Sequence, residues 1–274
     1  MTESVIHHLR RRARDLPDTP AYGRKVGDSW RITSWGEYDR SIRRVARALL
    51  ALDVPVQGAV GILSANRPEW AITCLGAMTA RAVPVGVYQT CSPEQVAYVL
   101  DHAEATVVMV ENRQQLAKVE QARERMPGLR HAVVMDGSDV PEEALGGDAM
   151  SWGDFVALAD SVPEGGLEDR FASLESGDLA SLIYTSGTTG NPKAVMLDHG
   201  NLLDTSRIGL DIHDIGTADS LVSYLPMAHI AEQMLSIHMP AFVGYQIYYA
   251  GAPETLLDDL QEIQPTIFFG VPRV

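Results

Sequence analysis

The stretch "YTSGTTGNPKAVML" (residues 184–197) sets two apolar, β-prone runs on either side of a loop of hydroxyls, two glycines, a proline and a lysine. Glycine loses more conformational freedom on folding than any other residue, so a loop of this composition is costly as mere filler and points to a ligand. Successive N–H groups around Gly187 and Gly190 can turn inward together, an arrangement that suits an anion. The hydroxyls of Thr185, Ser186, Thr188 and Thr189 add neutral donors, and Lys193, aimed by Pro192, adds a positive charge. A phosphate cradle is the expected use. The P-loop of nucleotide hydrolases is a poor match, because it needs G-x-x-x-x-G-K-[ST] running into a helix. Here the glycines are three apart, Ala194 follows the lysine, and the next residues read as a strand.

Outward from the loop, helix and strand patterns alternate, which predicts a mostly parallel, doubly wound sheet. "DLASLIYT" (178–185) leads in as a strand; "AVML" (194–197), a "DHGN" turn and a helix from about Asn201 follow. Upstream, Ser34 and Glu37 fit a capping box ahead of a helix, and "GAVGIL" (58–63) reads as a buried strand. Pro68 opens a helix, and "AVPVGVY" (82–88) is the next strand. Ser92, Pro93 and Gln95 start another helix, followed by "TVVMVE" (106–111), a charged helix ending near Met126, and "HAVVMD" (131–136). The stretches 136–150 and 161–170, rich in glycine and acid, read as surface excursions. Beyond the loop, strands are expected at 220–226, 245–251 and 266–272, with helices reaching Met239 and covering 253–264. This organisation predicts a first α/β lobe over 53–205 that carries the loop and a second lobe over 206–274.

Composition narrows the function. The chain has 274 residues, 46% of them hydrophobic, enough for a substantial core. No apolar run approaches the roughly 20 residues that span a bilayer, and the N-terminus lacks the apolar stretch of a signal peptide, so a cytoplasmic location is expected. The net charge of −14 argues against nucleic acid. It leaves room for a small anion held by a few N–H groups and one lysine. The cluster Arg10, Arg11, Arg12 and Arg14 suits either peripheral contact with an anionic membrane or, the favoured reading, the solvated face of a first helix. Cys74 and Cys91 are the only cysteines, too few for a disulfide framework or a metal site, and no metal ligands are assigned.

The run "YTSGTTGNPK" (184–193) resembles the phosphate-binding signature of the adenylate-forming (AMP-binding) superfamily of acyl-CoA synthetases, adenylation domains and luciferases. A second segment, "YLPMAHIAEQ" (224–233), is similar to the superfamily's next core motif, in which a histidine stands beside the acyl pocket. "FFGVPRV" (268–274) resembles the segment before the adenine-contacting strand, and "RPEW" with "AVPVGVYQTCSPEQVAYVLDHAEA" (82–105) is similar to long-chain acyl-CoA synthetases. The resemblance implies two mostly parallel sheets with flanking helices, forming an incomplete N-terminal domain of the acyl-CoA synthetase-like fold without its C-terminal lid. It implies a fatty acid–CoA ligase: a fatty carboxylate attacks the α-phosphorus of ATP, pyrophosphate leaves, and the thiol of coenzyme A displaces AMP. ATP, Mg²⁺ and coenzyme A are the implied cofactor and co-substrates. Thr185, Ser186, Gly187, Thr188, Thr189, Gly190 and Lys193 would hold the β- and γ-phosphates, and His229 would stand at the acyl carboxylate.

Two departures qualify this. Ala194 stands where the family usually has glycine, and its methyl fits a β conformation but not a positive φ. The adenine and Mg²⁺ motif, the ribose-binding aspartate, the hinge and the C-terminal lysine all fall beyond "VPRV", so the isolated chain is expected to be an inactive portion of the enzyme. The alternatives are another acyl- or aryl-adenylating ligase, or a non-catalytic remnant that binds nucleotide or a partner.

Overall fold

The computed structural model describes residues 3–185, 191–250 and 253–270. Among them, the first helix, α1 (Val5–Asp15), is followed by a hairpin of β1 (Pro20–Val26) and β2 (Ser29–Ser34), then α2 (Trp35–Ala51). Next come β3 (Ala59–Leu63), α3 (Pro68–Thr79), β4 (Val83–Val87), α4 (Pro93–His102), β5 (Val107–Val110), α5 (Arg113–Gln121) and β6 (His131–Val134). β7 (Ala149–Ser151), α6 (Trp152–Ala157) and α7 (Glu164–Ala172) lead to β8 (Leu179–Thr185) and β9 (Lys193–Asp198). The chain continues through α8 (His199–Ile212), β10 (Ser220–Ser223), α9 (Ile230–Gln233), α10 (Met239–Val243), β11 (Gln246–Tyr249) and α11 (Leu256–Ile263).

The strands form two sheets, as expected for the fold class. The larger runs β7-β6-β5-β3-β4-β8-β9, parallel except for the antiparallel β8/β9 pair. The smaller runs β10-β11-β1-β2, parallel except for β1/β2. Strands at the centre of the larger sheet bury both faces, which explains their unbroken apolar runs. In β5, Val107 and Met109 join a core shared with the smaller sheet, while Val108 and Val110 pack under α4 and α5. The shared core takes in Tyr22, Ile247 and Tyr249 from the smaller sheet together with α2 and α3. α3 is buried from end to end, which is why its sequence is apolar on every face.

Local signals place the helices. Ser34 and Ser92 each accept a bond from the backbone N–H three residues on, and Glu37 and Gln95 return the bond. α8 begins at His199, two residues before the expected start, because Asp198 caps it in a box with Asn201.

Three regions depart from the expectations. The β1/β2 hairpin was not anticipated: Gly27 at φ 59° and Asp28 form a two-residue connection between Val26 and Ser29. The stretch 161–170, expected as an irregular excursion, contains most of α7. α7 survives two glycines because Glu164 and Glu168 pair with Arg43, and Glu168 takes a bidentate bond from Arg10 at 2.9 and 2.7 Å. In the expected strand 266–272, Ile267 makes an isolated parallel bridge to Leu221, and Phe268 and Phe269 are exposed.

The basic cluster is engaged within the chain. Arg10 holds Glu168 and lies over the Phe171 ring, Arg11 pairs with Glu3, Arg12 donates to the Phe242 carbonyl, and Arg14 pairs with Asp15. No helix of the described residues is long and apolar enough to cross a membrane.

Candidate active site

β8 and β9 form the arms that enter and leave the hydroxyl-rich loop. Their ladder pairs Thr185 with Lys193 and Tyr184 with Ala194, so Thr185 and Lys193 stand opposite each other at the mouth, both exposed. Ser186, Gly187, Thr188, Thr189 and Gly190 lie outside the described residues. Ala194 sits in β9 without a positive φ, so its methyl is accommodated by the strand.

α4 approaches both arms. The Tyr98 hydroxyl donates to the Pro192 carbonyl at 3.0 Å, and His102 Nδ1 shares a bond with the Tyr184 hydroxyl at 2.8 Å. Burial, with the Tyr98 hydroxyl adding to it, pushes the Tyr184 phenol up to about 12, so it is neutral and free to share its proton.

The second motif is carried on the turn between β10 and α9. His229 caps α9: its Nδ1 accepts from the Ala231 N–H at 3.2 Å, while its backbone N–H donates to the Pro226 carbonyl at 2.8 Å. With Nδ1 engaged as an acceptor, the neutral ring carries its proton on Nε2. The imidazole is exposed.

Asn66, just after β3, fixes this turn. Its Nδ2 donates to Ser223 Oγ at 2.9 Å and the Leu225 carbonyl at 2.7 Å, and its Oδ1 accepts from the Met227 N–H at 3.1 Å. Buried Gln233 donates to the Met227 carbonyl at 2.9 Å. Glu232 is buried beside it; burial raises its carboxyl, and bonds from Ser223, Ser236 and the Leu225 N–H partly offset that. Below the turn, a Cβ on Gly86 would stand 2.9 Å from the Ala228 Cα, so glycine in β4 lets the turn lie directly on the larger sheet.

These placements bring the two motifs onto one cavity. Thr185, Tyr184 and Pro192 of the loop arms line a space of about 290 Å³ together with His229, Ile230 and Tyr88. It lies at the carboxyl ends of β4 and β8, where open α/β sheets bind their ligands. A larger, mostly apolar groove of about 810 Å³, which Ala231 of α9 also borders, is lined by Ile212, Ile215, Met234, Leu235, Met239 and Phe268.

Sequence reasoning missed Asn66, Gly86 and Gln233. The partners of Asn66 lie 157 to 161 residues further along the chain, so no local pattern announces them. Cys91 lines the cavity, and burial raises its thiol, which favours the reduced, protonated form. Among the described residues no group of three or more His, Cys, Asp or Glu is placed to hold a metal ion.

The family that this chain matches is that of the AMP-binding enzymes. The family pattern matches residues 9–274, and the chain belongs to that family. It is 38% identical over 261 residues to the long-chain-fatty-acid–CoA ligase ACSBG2 of Homo sapiens, covering 93% of this chain and 38% of the relative. It is 34% identical over 278 residues to the Homo sapiens ligase ACSBG1, covering 98% of this chain and 38% of the relative. The chain thus spans well under half the length of these relatives. Among solved structures, the anthranilate CoA ligase AuaEII in complex with anthranoyl-AMP matches with a TM-score of 0.83 at 23% identity. That match covers 98% of this chain and 50% of AuaEII.

Proposed function

We propose that this chain supplies the phosphate-loop and acyl-side portion of an ATP-dependent fatty acid–CoA ligase. One observation carries the reading: Thr185 and Pro192 at the loop mouth share a single cavity with His229, although 36 residues lie between Pro192 and His229 in the sequence. The loop donors and Lys193 hold the β- and γ-phosphates of ATP, whose Mg²⁺ arrives with the nucleotide. Charge builds on the departing pyrophosphate as the fatty carboxylate attacks the α-phosphorus, and the loop donors with Lys193 stabilise that charge. His229 offers its Nε2–H towards the carboxylate end of the acyl substrate. The apolar groove beside α9 has the size expected of a small-molecule site and suits an alkyl chain. The CoA thiol then displaces AMP from the acyl-adenylate.

Acid-dependent exchange of labelled pyrophosphate into ATP tests this, using the longest polypeptide in which the chain occurs. Palmitate is expected to drive exchange and benzoate is not, with Lys193→Ala lowering the rate roughly tenfold or more. Exchange that palmitate fails to stimulate, or that Lys193→Ala leaves intact, would refute the assignment.

A further inference from the structure

We propose that α4 braces the mouth of the phosphate loop, with Tyr98 and His102 as positioning residues that hold its two arms against the body of the domain. This rests on the anion-binding reading of the loop. Tyr98 and His102 are four residues apart on one helix and so share a face. Tyr98 grips the arm that leaves the loop, through the Pro192 carbonyl; His102 grips the arm that enters it, through the Tyr184 hydroxyl. The three rings form one contact, with Tyr98 and His102 centroids 5.5 Å apart and the His102 ring edge-on to Tyr184 at 5.7 Å.

The sheet by itself does not fix where these arms point. β9 is the outermost strand of the larger sheet among the described residues and pairs only with β8. β8 in turn registers with β4 at Val85 and Leu182, whereas β3 and β4 pair along their whole length. The β8/β9 ladder therefore sets the separation of the arms but leaves their tilt weakly determined. The bonds from α4 act on that tilt, at Tyr184 on the arm that enters the loop and Pro192 on the arm that leaves it. A brace must itself be rigid, and α4 is. Its N-terminus is closed by the Ser92–Gln95 box, and Val96, Val99 and Leu100 are buried under the sheet. Lys118 ties down the preceding turn through the Gln89 and Cys91 carbonyls at 2.7 and 3.0 Å. Gln95 and Val99 of the same helix line the cavity that His229 faces, so α4 registers the loop arms against the acyl-side histidine.

Hydrogen exchange on the 274-residue chain tests the brace without requiring activity. In Tyr98→Phe, His102→Gln and the double variant, amides of peptides covering 184–195 should exchange roughly tenfold faster, while those of β3 and β5 keep their wild-type rates. The Phe variant keeps the ring, so packing is preserved, and unchanged thermal unfolding certifies the fold. Should the His102 variant unfold, a Tyr184→Phe chain, which keeps the His102 ring, still gives a reading against wild type. Removing the hydroxyl with Tyr184→Phe must shift the ring ¹⁵N resonances of His102, and no shift would overturn the bond. Unaltered exchange over 184–195 in a folded double variant would overturn the proposal. Calorimetry with inorganic pyrophosphate separates the two readings. If the wild type binds and Tyr98→Phe binds about fivefold more weakly or worse, the brace serves the anion site. A wild type that binds no pyrophosphate sinks the anion reading, while the brace is decided by exchange alone.

Discussion

At Gly86 there is no room for even a methyl group. The missing Cβ would meet the Ala228 Cα at 2.9 Å and Trp70 at 3.2 Å; the first contact is backbone and cannot rotate away. Since Ala228 immediately precedes His229, any side chain at this position displaces the histidine along with the turn that carries it. Gly86→Ala is therefore expected to cost about 1–3 kcal/mol of stability, in the range of overpacked cores. It should also shift the His229 ring resonances, in contrast to a change at an exposed position such as Glu124→Gln. Denaturant unfolding and NMR of the imidazole check both; an unmoved His229 signal would show that the turn is not seated on β4. Asn66 meets the turn from the other side, and its bonds to Ser223, Leu225 and Met227 leave it little freedom. Position and chemistry are thus supplied by different residues: His229 presents a ring, while Gly86 and Asn66 determine where that ring is.

At the scale of elements, α7 shows how tertiary contacts override local propensity. Gly165 and Gly166 weaken the first turn, and a sequence reading favours a loop. The helix forms because Glu164 and Glu168 answer the arginines of α1 and α2. A Cβ at Gly165 would meet nothing within 4 Å, and its φ is not positive, so Gly165→Ala should stabilise the chain by roughly 0.5–1 kcal/mol. A lower urea midpoint for that variant would contradict the helix. Where the determinants were local, the sequence was readable: the boxes at Ser34 and Ser92 and the buried runs of β3 to β6 fall where their patterns placed them. The β1/β2 hairpin carried a usable signal as well, a Gly-Asp pair between strand-like runs. The candidate site divides the same way. The loop at 185–193 and the histidine at 229 are short motifs legible in one dimension. Asn66, Gly86 and the α4 contacts act across 82 to 161 residues, and only folding brings them together.

For the whole molecule, acid stability depends on two histidines that the fold keeps neutral. His199 begins α8, and His238 lies in a π-helical turn, Met234–His238, which precedes Pro240, a residue unable to donate the next helical bond. Both are buried; neither ring nitrogen of His238, nor Nδ1 of His199, has a hydrogen-bond partner among the described residues. Burial holds His238 down to about 3, with His199 adding to the effect. It holds His199 down to about 4, although Asp178 and Asp198 pull the other way and His7 adds a small further lowering. Both folded values lie below the ordinary 6.5 of a histidine in the unfolded chain. The unfolded state therefore binds protons first on acidification. The stability these groups contribute is complete above about 6.5 and is lost as pH falls from there towards about 4 for His199 and about 3 for His238. Glu232 works in the opposite sense, because burial raises its carboxyl and favours the folded state in acid, but its ordinary range lies lower. Between about pH 7.5 and about pH 5 the histidines should dominate, lowering unfolding free energy by about 2–4 kcal/mol. Urea unfolding across that range measures it, and His238→Gln should flatten the profile by roughly half. A wild-type profile that stays level to about pH 5 would mean that the two imidazoles are hydrated in solution rather than sealed in the core.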